Sequence, residues 1–208
     1  MILLSHLRSR LSGLARLGWL DDRAAQLVEF AVSLPLLVVF VVGIFDFSGA
    51  FTLRQKLTNI ARDAARAAAA GPATDLTEAL PASVIDAYQL ATNYLAANNI
   101  NACGISQSVY ITGPGRATWT FTGTTNGCPT GGLTITINRG YYFPQNGGAL
   151  PSVTCGPPAT NGQTLVIATC VSLQYAYAWR FGHAASLLGS NPVLPTKIAG
   201  TAVAINEN

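Results

Sequence analysis

Hydrophobic residues form one long run near the start of the chain. Between Glu29 and Arg54 the only charged residue is Asp46, and most of the others are Leu, Val, Phe and Ala. A helix that crosses a bilayer needs about 20 consecutive apolar residues, and this run supplies them. The pattern therefore predicts a transmembrane span over about residues 30–53.

The apolar pattern changes after this run but does not stop. Apolar residues now recur at steps of three and four, which is the period of an amphipathic helix in water, at Leu53, Leu57, Ile60, Ala64 and Ala67. Gly71 and Pro72 should end the helix, because Gly suits a C-terminal cap and Pro cannot continue one. We predict one long helix over residues 25–71, with its first half in the membrane and its second half projecting from it.

A second helix is expected after Pro72. Asp75 followed by Glu78 resembles a capping box, although Pro81 makes Ser83 an equally good start. Apolar residues at helical spacing continue to about Asn98, and we expect their stripe to be part of the core: Val84, Ala87, Tyr88, Ala91, Tyr94 and Leu95.

From Cys103 onward the pattern is that of short strands separated by turn-forming residues. Residues 133–138 alternate Thr with Leu and Ile, the period-two pattern of a half-buried strand. Other β-prone runs cover 109–112, 119–122, 165–177 and 198–205. Residues 140–143 could end a strand or form a loop cluster, and 184–188 could form one helical turn. The predicted fold class is α+β, with a small antiparallel sheet and long loops.

The cysteine pattern and the net charge indicate which cofactors and partners to expect. All four cysteines follow the apolar run, and an even number on one side fits disulfides in an oxidising compartment. Pairing Cys103 with Cys128, and Cys155 with Cys170, is the simplest of three possibilities. No Cys-x-x-Cys pair is present, so we expect no metal or other cofactor. The net charge of +3 is dispersed, which argues against a nucleic-acid partner.

Charges around the apolar run bear on orientation. Four Arg residues lie within residues 1–23, which favours a cytoplasmic N-terminus, but Arg and Lys residues also follow the run. The cysteines support the same orientation, with the C-terminal part outside. A conventional signal peptide would have a shorter apolar core of about 7–15 residues, so we prefer a membrane anchor, either uncut or processed at a leader.

Residues 21–71 resemble the TadE-like proteins, pilin-like components of the tight-adherence (Flp) pilus machinery. The resemblance rests on five ordered features: Ala24 at the cleavage site, Glu29-Phe30, Leu34-Pro35, the block from Gly43 to Phe47, and the segment from Asn59 to Arg66. The family usually has Gly immediately before the cleavage point, where this chain has Ala24.

The resemblance implies a domain organisation and several residue roles. Residues 1–24 would be a cytoplasmic leader, cut between Ala24 and Ala25 by a prepilin-type peptidase, and 72–208 would be an extracytoplasmic pilin-like domain. Glu29, with Phe30 beside it, would help to recruit and align the subunit, or else would only mark the cytoplasmic interface. Pro35 would kink the helix or let it melt locally in a filament.

Asp46 has two interpretations, and the small residues near it have one. Asp46 should lie near the second membrane interface, where it is either simply interfacial or a subunit contact, because a carboxylate at the bilayer centre costs about 2.5–3.5 kcal/mol. Small residues permit close approach of neighbouring helices, here Gly43, Ser48, Gly49 and Ala50.

The functional expectation is a structural subunit of a pilus rather than an enzyme. We find no phosphate loop, Gly-x-Ser-x-Gly or His-Glu-x-x-His motif, and His183 is the one His beyond Gly71. Expected partners are other pilin-like subunits, the pilus assembly platform, the peptidase and the lipid bilayer of the inner membrane, which the chain would cross once. The main alternative is a permanently anchored adhesin that never enters a filament.

Overall fold

The computed structural model describes residues 18–106, 109–112, 117–144, 152–156, 165–186, 189 and 193–207. The elements along the chain are helix α1 (Gly18–Ala70), a short 3₁₀ helix (Ala73–Thr77), helix α2 (Ala82–Ala97), strands β1 (Val109–Thr112), β2 (Thr118–Gly123), β3 (Leu133–Pro144) and β4 (Leu165–Ala176), helix α3 (Phe181–Ser186) and strand β5 (Lys197–Ile205). The predicted α+β class is confirmed.

The chain divides into two compact units, and helix α1 contributes to both. One unit contains Met1–Asp46 and Arg180–Pro192, and the other contains Phe47–Trp179 and Val193–Asn208. Helix α1 has 53 residues, which corresponds to about 80 Å at ~1.5 Å per residue. We call residues 25–46 its inner half and residues 47–70 its outer half.

The five strands form one antiparallel sheet in chain order, so each strand pairs with its neighbours in sequence. Strand β3 is longer than the Thr/Ile alternation alone predicts. A register shift between Asn138 and Tyr141 lets it continue to Pro144, so residues 140–143 belong to a strand and not to a loop cluster. The predicted turn at 184–188 is helix α3, which begins at Phe181; residues 187 and 188 lie outside the described residues, as does most of the predicted leader, residues 1–17.

The core of the second unit lies between one face of this sheet and the two helices α1 and α2. Alternate residues of β2, β3, β4 and β5 belong to it, as expected for the buried face of a sheet, whereas Tyr141, Ala168 and Cys170 belong to a second, smaller buried cluster. The helices contribute mainly small residues, so they pack close to the strands. The buried residues include Leu57, Ile60, Ala61, Ala64, Ala68, Val84, Ala87, Ala91, Leu95, Trp119, Phe121, Leu133, Ile135, Ile137, Val171 and Leu173.

Three local expectations need adjustment. Asp75 lies in the 3₁₀ helix, and its carboxylate accepts a hydrogen bond from the backbone N–H of Ser83 at 3.0 Å, so it caps α2 from a distance. Tyr94, predicted to lie in the core, is 43% exposed. Gly71 does follow α1, but it does not adopt a left-handed conformation; a side chain there is excluded because its Cβ would lie 2.4 Å from the Cβ of Ser83.

Candidate functional site on the long helix

The inner half of α1 carries an almost uninterrupted apolar surface. Its large side chains are exposed, among them Leu27, Phe30, Val32, Leu37, Phe40, Ile44 and Phe45. Within Ala25–Ala70 the helix is long and apolar enough to cross a membrane, and only 6% of its most apolar window is buried. Such a surface is stable in lipid or against other apolar helices, and it fits a single-pass membrane anchor.

The predicted cleavage and alignment residues lie at the start of this surface. Ala24 and Ala25 are within the continuous helix, and Glu29 follows Ala25 by about one helical turn. Glu29 and Phe30 are exposed, and Glu29 forms no ion pair within the part of the chain that the structure describes. The proposed cleavage, and the assembly role of Glu29, stay predictions.

Pro35 lies in the middle of the exposed apolar surface, and α1 continues through it. Because Pro has no backbone N–H, it cannot donate the hydrogen bond to the carbonyl of Ala31 that the helix would otherwise make. The hydroxyl of Ser33 donates to the carbonyl of Phe30 at 3.2 Å. A kink or local melting at Pro35 remains a prediction.

Asp46 is the acid within the apolar run, and it is 7% exposed. One of its carboxylate oxygens accepts hydrogen bonds from the backbone N–H groups of Arg180 at 2.7 Å and of Phe181 at 2.8 Å. These groups lie at the start of α3, so Asp46 caps a helix that is remote in sequence. The carboxylate therefore has hydrogen-bond donors from its own chain, and a contact with another subunit stays a prediction.

Gly43 lies one turn before Asp46 and faces the same short helix. A Cβ on Gly43 would lie 3.0 Å from the ring of Phe181. Ala50 is likewise buried, in the core of the second unit. Two of the small residues for which the sequence suggested contacts between subunits thus serve contacts within the chain.

The outer half of α1 lies against strand β5. A Cβ on Gly200 would lie 2.4 Å from the backbone of Leu57 and Thr58, so the strand and the helix touch through their main chains. The same side of the helix buries Ala61, Ala64, Ala65 and Ala68. Arg54, Arg62 and Arg66 are exposed on its other sides, as the helical period predicted.

Arg139 fixes the end of the long helix to the sheet, a role that we did not predict from the sequence. Its side chain is 1% exposed and donates to the carbonyls of Gly71 at 2.7 Å and Pro72 at 3.3 Å. It also donates to Asp75 Oδ1 at 2.9 Å and to the hydroxyl of Ser83. One guanidinium group thereby joins the end of α1, the 3₁₀ helix and the start of α2.

Burial and pairing with Asp75 have opposite effects on the pKa of Arg139. Burial lowers the pKa of its guanidinium from the ordinary value, and the carboxylate of Asp75 raises it. A buried charge without a partner is costly, so Asp75 is the group that makes this burial possible. The only hint in the sequence is a charged residue directly after the alternating run 133–138.

The structure contains two disulfides, Cys103–Cys128 and Cys155–Cys170, which is the pairing that the sequence suggested as the simplest. The second one ties the loop 152–156 to strand β4. Ser172 and Gln174 of that strand both donate to the carbonyl of Val153 in this loop. The loop therefore covers part of the sheet face that the helices leave free.

Comparison with known families agrees with this geometry. The family model of the TadE-like proteins matches residues 24–66. The long helix carries a TadE-like segment. This is the family that the sequence resembled, and the match covers both the exposed inner half of α1 and most of its outer half. No curated protein and no solved structure matched the chain.

The family that this segment matches is one of structural, pilus-associated proteins rather than of enzymes. No group of three or more His, Cys, Asp or Glu residues that could hold a metal ion occurs among the described residues. His183 is exposed on α3. Nothing in the described chain points positively to an enzyme.

Proposed function

We propose that the protein is a minor pilin-like subunit, a pseudopilin, of a tight-adherence pilus. In this function the inner half of α1 first anchors the subunit in the inner membrane, with the N-terminus in the cytoplasm. It then packs against the corresponding helices of other subunits. The observation that carries the proposal is the large apolar surface of the inner half, exposed on a helix whose outer half is the rigid support of a disulfide-bonded sheet.

Glu29 supports assembly in this proposal. After removal of residues 1–24, the new ammonium group of Ala25 would lie one helical turn from the carboxylate of Glu29. A carboxylate near an ammonium group stabilises its charge, either within one subunit or between neighbours. Glu29 is exposed and forms no ion pair among the described residues, so it is accessible for that contact.

The first experiment is the intact mass of the protein recovered from membranes. A mature chain that begins at Ala25 supports processing by a prepilin-type peptidase. A chain that retains residues 1–24 contradicts processing and favours the permanently anchored adhesin. The observation that motivates this alternative is Ala24, which stands where the family usually has Gly.

A matched pair of variants tests assembly. Glu29→Ala should reduce piliation while the sheet domain stays folded, because the alignment charge is lost. Asp63→Ala is the control, since it removes a half-exposed acid elsewhere on the same helix, in a weak pair with Arg66 at 3.9 Å. Piliation that is unchanged in Glu29→Ala, or equally reduced in both, contradicts the proposed role.

A further inference from the structure

A groove of about 550 Å³ lies between the outer half of α1 and the strand β5 side of the sheet. On α1 it is lined by Phe47, Ala50, Phe51 and Arg54, which follow one another at helical spacing on one face. The remaining wall is formed by Val153, Trp179, Pro195, Lys197, Ile198 and Ala199.

Aromatic rings form one side of the groove and hold one another in place. Trp179 packs against Phe47, with ring centroids 5.2 Å apart, and against Tyr177 at 4.8 Å. The indole N–H of Trp179 donates to the carbonyl of Pro195 at 2.6 Å, which fixes the ring. Trp and Tyr side chains are enriched at membrane–water interfaces, where one end of the ring is apolar and the other is hydrated.

The charges of the groove are all positive. Arg54 and Lys197 line it, and among the described residues no Asp or Glu does. Neither cation forms an ion pair within the described residues. Both side chains are exposed, so they are available to an anionic group placed in the groove.

The position of the groove along α1 indicates which kind of anion it would bind. Phe47 and Phe51 belong to the last part of the apolar run, and Arg54 is the first charged residue beyond it. If the run spans the bilayer, the apolar end of the groove lies at acyl-chain depth and its cations lie at headgroup depth. This step rests on the membrane anchor of the proposed function.

We propose that this groove binds an anionic phospholipid. The phosphodiester lies between Arg54 and Lys197, and the first part of an acyl chain lies along Phe47, Phe51 and Trp179. A peptide or a soluble phosphate would match the cations but not the apolar wall that continues the membrane-spanning surface. The second unit, Phe47–Trp179 and Val193–Asn208, is called the outer domain below, and the bound lipid holds its base on the outer leaflet.

The test uses the full chain purified in a neutral detergent and native mass spectrometry, with phosphatidylglycerol and phosphatidylcholine as the probes. The wild-type chain should retain phosphatidylglycerol in preference to phosphatidylcholine. Each basic side chain near an anionic surface contributes roughly a factor of five in affinity, so Arg54→Gln with Lys197→Gln should weaken phosphatidylglycerol binding about 30-fold.

Two controls separate a specific site from general attraction. Arg62→Gln with Arg66→Gln removes two exposed cations from the same helix outside the groove and should leave lipid retention unchanged. Arg54→Lys keeps the charge and should also retain the lipid. Equal retention of both lipids by the wild type, or an equal loss in both double variants, overturns the proposal.

The same spectra test the alternative occupant, a second copy of the chain. A lipid-free dimer that the Arg54→Gln and Lys197→Gln changes convert to monomers would make the groove a contact between subunits and overturn the lipid assignment. Flotation of the wild-type chain with phosphatidylcholine vesicles tests the anchor separately. Loss of flotation contradicts the anchor, whereas normal flotation without lipid selectivity contradicts only the groove.

Discussion

The two halves of helix α1 have the same backbone conformation but opposite surfaces. The inner half exposes large side chains such as Leu27, Phe40 and Phe45, and what it buries is small or polar, at Gly43 and Asp46. The outer half buries small residues, mainly Ala, and exposes Arg. In water a helix stabilises itself by burying one apolar stripe, whereas in lipid its apolar surface can remain exposed. The change of pattern along one helix thus fits a change of surroundings from lipid to water.

We expect the largest effect on stability from removing the guanidinium group of Arg139. The hydrogen bonds of this group all lie in the second unit, to which the outer half of α1 belongs. Arg139→Met leaves the largely buried carboxylate of Asp75 without its ion-pair partner, and breaking a buried ion pair typically costs about 3–5 kcal/mol. We expect the urea midpoint of the outer domain to fall. Unfolding can be monitored by the fluorescence emission of Trp119, which is buried and whose indole N–H donates to the carbonyl of Ala79. The helical signal of the inner half should persist in detergent.

The control for Arg139 is Arg66→Gln. Arg66 is 77% exposed and lies 3.9 Å from Asp63, so its loss should change the unfolding free energy by no more than about 0.5 kcal/mol. Equal shifts in the urea midpoint for the two variants would show that Arg139 does not join the helices to the sheet.

A smaller effect is expected at the backbone contact of the outer half. Gly200→Ala forces β5 away from Leu57 and Thr58, and overpacking of this kind costs about 1–3 kcal/mol. Gly156→Ala is the matched control, because its nearest side-chain neighbours would be 3.6 Å from the new methyl group. Thermal unfolding of both variants in detergent should separate them, and equal melting temperatures would contradict the close approach.

A change confined to the inner half should leave the outer domain unaffected. Asp46→Ala removes the cap of α3, which is worth about 0.5–2 kcal/mol for a helix cap. We expect faster trypsin cleavage after Arg180 in vesicles, with the urea midpoint of the outer domain unchanged. Asp86→Ala, an exposed acid on α2, is the control, and unchanged cleavage at Arg180 would argue against the cap.

The smallest expected effect is a pH dependence of the outer domain. Burial raises the pKa of Tyr88, Tyr141 and Tyr175 above the ordinary value. Unfolded tyrosines ionise first, near pH 10, so the stabilising contribution is complete below about pH 10 and is lost as pH rises through the folded-state pKa. Urea midpoints between pH 8 and 11 should fall at the alkaline end. The fall should be shallower in Tyr88→Phe, and a flat profile would contradict the prediction.

The sequence predicts the elements well because their signals are local. The change from an apolar run to a three-and-four repeat marks the two halves of α1, and the Thr/Ile alternation marks β3. The strand order could not be predicted, since turn-forming residues separate strands without stating which ones pair. The sequence left the continuation of β3 past Gly140 open against a loop cluster, because this continuation depends on a register shift against β4.

The candidate site likewise has parts that the sequence predicts and parts that it does not. Exposure of the apolar surface around Glu29 and Phe30 follows directly from the sequence. The hydrogen bonds of Arg139 do not follow from the sequence. Its partners lie 56 to 68 residues away, and no sequence pattern indicates that they meet. Tyr94 fits the helical period of α2 but lies at the edge of the covered face, so periodicity alone assigned it to the core.

The cap at Asp46 also sets an order of events during synthesis. Its two donors follow it by 134 and 135 residues, so they leave the ribosome long after the apolar run has done so. At about 5–20 residues per second this interval is roughly 7–27 s. Throughout that time the newly made span holds its carboxylate without these donors. A nascent chain stopped before Arg180 would therefore lack both donors, and only the synthesis of α3 completes the hydrogen bonds of Asp46.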